Sequence, residues 1–265
     1  MKPLIKPSLI LLAFLVFAGC SSTRKLKPGQ YLYTGADIII NPDSSSRIDD
    51  QKQVAKTLES KTRPRPNKSI LGIKWKLQLY NLAPDTVKPK GLGNWLKNKI
   101  GEAPVLLNDV KIKYNNDVLK SYLISQGYLQ ADVTGDTVIS KNGKKGKAVY
   151  TTNTGIRYKI NSITFPPDTG TLTKIININK DKTLLKVGNF YDLDTYKNER
   201  IRIDNDLKES GYFYFSPDYL ILQVDSTIGK NLVDINVNIK RNAPEAGLKP
   251  YTIKSINIYP NYNIR

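Results

Sequence analysis

From Leu232 to Lys240 the residues Val233, Ile235, Val237 and Ile239 alternate with Asp234, Asn236, Asn238 and Lys240. That period-two pattern predicts a strand burying one face only. Tyr219–Val224, joined to it across Ile228-Gly229-Lys230, completes a β-hairpin. Ala131–Ser140 and Lys147–Thr152, around Asn142-Gly143-Lys144-Lys145-Gly146, predict another hairpin, and Tyr31–Ile40 a strand closing on Asn41-Pro42-Asp43. Elsewhere the spacing is helical. Val54 and Leu58 place a helix over Ile48–Ser60, stopped by Arg63-Pro64-Arg65-Pro66. The pairs Val118/Tyr122 and Leu119/Leu123 predict Asp117–Gln126, with Asp117 as N-cap and Gly127 as the left-handed residue past its end. Thr171–Lys180 reads as a short helix, and Asp192–Ser210 as a longer one with Leu193, Tyr196, Ile203 and Leu207 facing the sheet.

The pattern repeats. Tyr158–Phe165 opens on apolar Tyr158, Ile160, Ile163 and Phe165, and Tyr251–Pro260 has Tyr251, Ile253, Ile256 and Ile258 at the same offsets. The step of three across Ser162 or Ser255 breaks strict alternation and predicts a β-bulge or a change of buried face. The two longer helices both run into a Gly-Tyr pair, Gly127-Tyr128 and Gly211-Tyr212. Each strand copy therefore opens a module of order β-α-α-β-β. The expected fold class is α+β, with tandem modules over 31–154 and 155–242. The first carries an insertion between Arg63 and Pro104, and 250–265 reads as the opening strand of an incomplete third module.

Composition narrows the chemistry. The chain has no His and a single cysteine, Cys20. These absences exclude His-based triads, an internal disulfide and the usual zinc, copper or iron ligand sets. Asp49-Asp50 and Asp204/Asp206 are the nearest carboxylate pairs, and both read as solvated polar faces. Gly91-Leu92-Gly93 lacks the strand, third glycine and helix of a dinucleotide site, and the Gly143–Gly146 turn lacks the Walker spacing. Asn67-Lys68-Ser69 is read as a chance sequon. The expectation is a non-enzyme without metal or cofactor.

Residues 1–19 read as a secretory signal peptide: Lys2 and Lys6, then the apolar run Leu9–Phe17, too short to span a bilayer, then Ala18-Gly19 before Cys20. Val16-Phe17-Ala18-Gly19-Cys20 resembles the lipobox of bacterial lipoproteins, with Phe17 where the motif usually has Leu. The resemblance implies acylation of Cys20 and a lipidated tether over 20–30. Losing Lys2 and Lys6 lowers the formal charge from +18 to +16. For an exported lipoprotein that charge suits anionic headgroups better than nucleic acid, the alternative being a solvated basic face with no specific ligand.

The repeated β-α-α-β-β grammar with its Gly-Tyr helix ends resembles the POTRA (polypeptide-transport-associated) module. With the lipobox, the chain is similar to the periplasmic part of BamA/TamA-type outer-membrane assembly proteins, more narrowly to the lipid-anchored TamA-like form (TamL) of Bacteroidota. Pro66-Asn67-Lys68, Ile70-Leu71-Gly72, Leu79-Tyr80-Asn81 and Gly101-Glu102-Ala103-Pro104-Val105 carry this narrower likeness. In that family further modules and a membrane β-barrel follow, whereas this sequence reaches Arg265 before any run of barrel strands. The resemblance implies a three-stranded mixed sheet with two helices on one face and its second strand on the outer edge. It also implies outer-membrane anchoring facing the periplasm, since Ser21-Ser22-Thr23-Arg24-Lys25 lacks the acidic residues of surface-displayed lipoproteins. Implied partners are the membrane, outer-membrane protein clients or an assembly subunit, and its own β-barrel. The expected partner-binding edge is Tyr219, Leu220, Ile221, Leu222, Gln223 and Val224, offered for β-augmentation. A proline at Gln223 is then expected to block strand addition without breaking the fold. The alternative is a structural envelope lipoprotein that spaces or anchors other components.

Overall fold

The computed structural model describes residues 22–43 and 51–260. Cys20, Ser21, the start of the first helix with Asp49-Asp50, and Asn263-Ile264-Arg265 lie outside these residues. The chain divides into two compact units, one running up to Tyr122 and including Ala131–Thr154, the other Leu123–Gln130 and the residues from Gly155 onward.

In the first unit, strand β1 (Leu32–Asn41) is followed by helix α1 (Gln51–Lys61). The insertion comes next, with helix α2 (Trp75–Leu82) and a helical turn Leu92–Asn94 that passes into a π-helical stretch, Trp95–Ile100. Helix α3 (Ile112–Ser125) and strands β2 (Asp132–Ile139) and β3 (Lys145–Asn153) complete it. The strand order is β1-β3-β2, with β1 parallel and β2 antiparallel to β3. Helix α3 begins five residues before the expected Asp117, which lies inside it. Its buried stripe is Asn115, Leu119 and Leu123, and the first of these is polar, so apolar periodicity fades where the helix starts. Two buried asparagines close the base of the insertion. Asn115 accepts from the Arg63 amide at 2.9 Å and donates to the Arg63 carbonyl and the Tyr150 hydroxyl. Asn67 accepts from the Val105 amide at 2.9 Å and donates to the Ala103 carbonyl at 2.7 Å. Fixing both ends of a long excursion in this way satisfies backbone groups that no strand reaches. Ser22–Gly29, expected as a polar tether, is instead tied to the insertion. Asn81 Nδ2 donates to the Ser22 carbonyl at 3.3 Å, and Lys25 bonds the Ala83 carbonyl and pairs with Asp85 at 3.0 Å.

The second unit repeats the order without an insertion: β4 (Lys159–Thr164), α4 (Thr171–Ile178), α5 (Leu193–Glu209), β5 (Leu220–Asp225) and β6 (Leu232–Ile239). Its strand order is β4-β6-β5, again with the first and third strands parallel. The expected bulge is present, the β4/β6 register slipping between Ile160 and Ser162; β1 carries a similar one between Tyr33 and Ala36. Asp192 caps α5 by accepting from the amides of Asp194 and Thr195 at 2.8 and 3.0 Å. Both helices lie on the apolar face of the sheet. Leu172 and Ile176 of α4 and Ile203 and Leu207 of α5 share a buried cluster with Leu220 and Val237, while Tyr196 packs with Val233 and Ile235.

Two expectations for this unit are corrected. Leu193, the first residue of α5, is 36% exposed and stands outside the buried core clusters. Asp204 and Asp206 are not solvated: Asp204 is buried and paired with Lys208 at 2.8 Å, and Asp206 is paired with Arg202 at 2.7 Å. The lone segment Tyr251–Tyr259, expected to lack a core of its own and to be disordered or paired with another chain, forms neither strand nor helix, and Ile253, Ile256 and Ile258 stand exposed. Its first residue bonds the Gly211 carbonyl, and no strand of either sheet pairs with the segment among the described residues.

The Gly-Tyr pairs explain the echo between the strand copies. Gly127 and Gly211 adopt φ of 96° and 94°, the left-handed conformation that ends a helix, and Tyr128 and Tyr212 donate back to Leu123 and Leu207, both at 3.0 Å. The carbonyl of Gly127 then accepts from the Tyr158 amide at 2.9 Å, and that of Gly211 from the Tyr251 amide at 2.7 Å. Each copy of the repeated strand sequence therefore starts on the glycine cap of the preceding long helix.

Candidate functional site

A three-stranded sheet has two edges, and in the second unit they differ. The outer side of β4 is occupied by its own chain: the Ile160 amide donates to the Asn189 carbonyl, Gly188 to the Ile160 carbonyl, and Tyr191 to the Tyr158 carbonyl, at 2.8, 2.8 and 2.9 Å. The first unit covers β1 in the same way, with Tyr33 donating to Val105 and Leu107 to Tyr31, both at 2.8 Å. In each module this cover is the segment leading into its second long helix. Sequence reading missed it, because backbone pairing by an irregular segment leaves no periodic pattern.

Strand β5 has no such cover among the described residues, and its register shows which groups it presents. The Lys240 amide donates to the Tyr219 carbonyl at 2.7 Å, so Tyr219 and Lys240 form a hydrogen-bonded antiparallel pair. Counting in twos, Ile221, Gln223 and Asp225 bond inward to Asn238, Asn236 and Asp234. The backbone groups of Leu220, Leu222 and Val224 point away from β6. The Leu220 amide is taken by the Pro217 carbonyl, which leaves the Leu222 and Val224 amides and the three carbonyls along the open edge. This register overturns the proline probe expected at Gln223. Its amide belongs to the inner ladder, and proline there would break the sheet.

The predicted edge residues divide by role. Leu220 is buried, Leu222 and Val224 pack against the core, and Ile221 and Gln223 face the polar side of the sheet, where Gln223 Oε1 accepts from Asn238 at 3.2 Å. Tyr219 is not in the strand. It ends a 3-10 turn, Pro217–Tyr219, and its ring packs edge-on to Phe215 at 5.6 Å. Proline at the first position of that turn prevents the strand from starting earlier.

Beside the edge runs a groove of about 260 Å³ between β5 and the N-terminal half of α5. Leu193, missing from the core, lines it together with Tyr196, Arg200, Leu222 and Val224. Arg200 fixes one end by donating to the Pro217 carbonyl at 2.7 Å and pairing with Asp218 at 2.8 Å. The Tyr196 hydroxyl is buried with no hydrogen-bond partner among the described residues. Burial pushes its phenol well above the ordinary tyrosine range, and Tyr191, whose ring lies 4.8 Å away, adds to the effect. The groove thus offers a mainly apolar lining, with Lys197, Arg200 and Lys240 among it, beside a row of outward backbone donors and acceptors, which is what an added strand requires.

No family model matches the chain, and no curated protein matches it. Solved structures do. POTRA modules 3–5 of BamA from Haemophilus influenzae are 13% identical, with 80% of this chain and 68% of that chain covered and a TM-score of 0.37. POTRA modules 1–2 of Omp85 from Anabaena are 9% identical, covering 80% and 96%, with a TM-score of 0.34. The N-terminal domain of Omp85 from Thermosynechococcus elongatus is 8% identical, covering 80% and 63%, with a TM-score of 0.35.

Proposed function

We propose that this chain acts in outer-membrane protein assembly, with the β5 edge receiving an extended segment of an unfolded client or of an assembly partner. The observation that carries the proposal is the asymmetry of the two edges. β4 is sealed by Gly188–Tyr191, while β5 presents the Leu222 and Val224 amides beside an apolar groove. Natural proteins normally protect such an edge with charge, proline or a covering segment. An incoming strand would gain main-chain hydrogen bonds whatever its sequence and set alternate side chains into the groove, which suits a factor serving many β-rich clients. The narrower part of the proposal is the anchor: Cys20 carries acyl chains that hold the chain at the periplasmic face of the outer membrane. More than one chain is required, since a single myristoyl-sized chain binds only marginally. Intact-mass measurement of membrane-extracted protein should show an acyl adduct that Cys20→Ser abolishes; an unmodified wild type contradicts the anchor.

Val224→Pro removes an outward donor at the end of β5 and leaves the inner ladder intact. It should weaken client binding about tenfold, the equivalent of one lost hydrogen bond with blocked pairing. Val224→Thr, which keeps the amide, should bind as wild type. A photo-crosslinker at Ile221 or Gln223 should capture client more than one at Asn236 on β6. Equal capture at all three positions, or none, would favour a spacer role.

A further inference from the structure

Both tryptophans of the chain, Trp75 and Trp95, lie in the Arg63–Pro104 insertion, 36% and 51% exposed. Leu71, Leu82 and Leu92 are exposed with them. On α2, Leu77 and Asn81 form the buried side, whereas Trp75 and Leu82, seven residues apart, share a second and outward one. Charge surrounds these residues: from Lys61 to Pro104 there are ten Lys and Arg against two acidic residues, Asp85 and Glu102. The insertion is also the part that holds the residues following Cys20, through Asn81 to Ser22 and Lys25 to Ala83 and Asp85. At that junction lies a groove of about 560 Å³ lined by Arg24, Lys25, Lys27, Leu82 and Pro84.

We infer that the insertion is a membrane-docking surface, which sets Trp75, Trp95 and Leu82 at the headgroup level and binds anionic phospholipid phosphates with Arg24, Lys27 and the insertion lysines. Tryptophan and leucine interleaved with lysine is the composition of an interfacial element, and lysines near an anionic leaflet are drawn to it. The location agrees with the chemistry. Arg24 is four residues from Cys20, so even a fully extended chain keeps their Cα atoms within about 14 Å of each other. This last point rests on the anchor proposed above; the exposed tryptophans and the charge do not. A protein partner would equally use exposed aromatics, but ten cations against two acidic residues around them favour an anionic bilayer.

Because the chain has no other tryptophan, its emission reports this surface alone. The full chain is reconstituted in vesicles of phosphatidylcholine, with or without phosphatidylglycerol. With phosphatidylglycerol, the emission should move to shorter wavelength and be quenched by bromine-labelled lipid. The triple variant Lys88→Glu, Lys90→Glu and Lys99→Glu, at exposed positions, should lower this response about tenfold, as should high salt. Emission indifferent to headgroup charge overturns the inference, and so does a shift produced by soluble protein client without vesicles. Intact mass of the wild type separates the two proposals: an unmodified Cys20 with a retained headgroup response would overturn the anchor and support this inference.

Discussion

Glu199 occupies a position that periodicity assigns to an apolar residue. It continues the buried stripe of α5 between Tyr196 and Ile203, and it is 0% exposed. Its carboxylate accepts from Arg202 at 2.7 Å and from the Leu184 amide at 2.8 Å, and Arg202 also bonds Asp206. The group therefore fastens the segment before α5 to the helix itself. Glu199→Ala would leave Arg202 with only one of its two carboxylate partners and the Leu184 amide unpaired. It should cost about 3–5 kcal/mol in urea unfolding, the range for breaking a buried pair; a loss under about 1 kcal/mol would show that water replaces the carboxylate. Asn115 and Asn67 play the same kind of part in the first unit. None of the three was legible as structural, since each is a polar residue filling a place that pattern reading reserves for the core. A gap in the apolar stripe, as at Glu199, was the available signal.

At the scale of elements, the sequence pattern carried much further. The strands, the two hairpins and the bulge at Asn161 follow from alternation, its one broken step and the turn residues, the pairing of first with third strand is what the POTRA resemblance implies, and Asp192 and the glycines mark one helix start and two helix ends. The core register follows too: Leu207 is fully buried in one cluster with Ile203 and Val237. Leu207→Ala should cost about 2–5 kcal/mol through lost burial and the cavity left behind. A cost below about 1 kcal/mol would mean that α5 packs through a different face. What remained hidden was the strand edge itself. Alternation tells which side chains face the core, but which amides point outward depends on the parity of the hydrogen-bonded pairs. That parity makes Val224, and not Gln223, the position for a proline probe.

Across the whole molecule, one module is written twice with the same devices: parallel first and third strands, a bulged opening strand, a covered first edge and a glycine-capped second helix. The modules differ mainly in the insertion, where the first unit carries its exposed tryptophans and much of its basic charge. The central claim is that β5 is an unfinished sheet edge to which a client strand is added. Residue-resolved amide hydrogen exchange tests it most directly, comparing the protein alone with the protein saturated by a peptide copied from an outer-membrane barrel strand. The Leu222 and Val224 amides should exchange quickly in the protein alone and slow about tenfold or more with peptide, while Ile221 and Gln223 stay protected throughout. Unchanged exchange at Leu222 and Val224, under conditions where the peptide is bound, would contradict it.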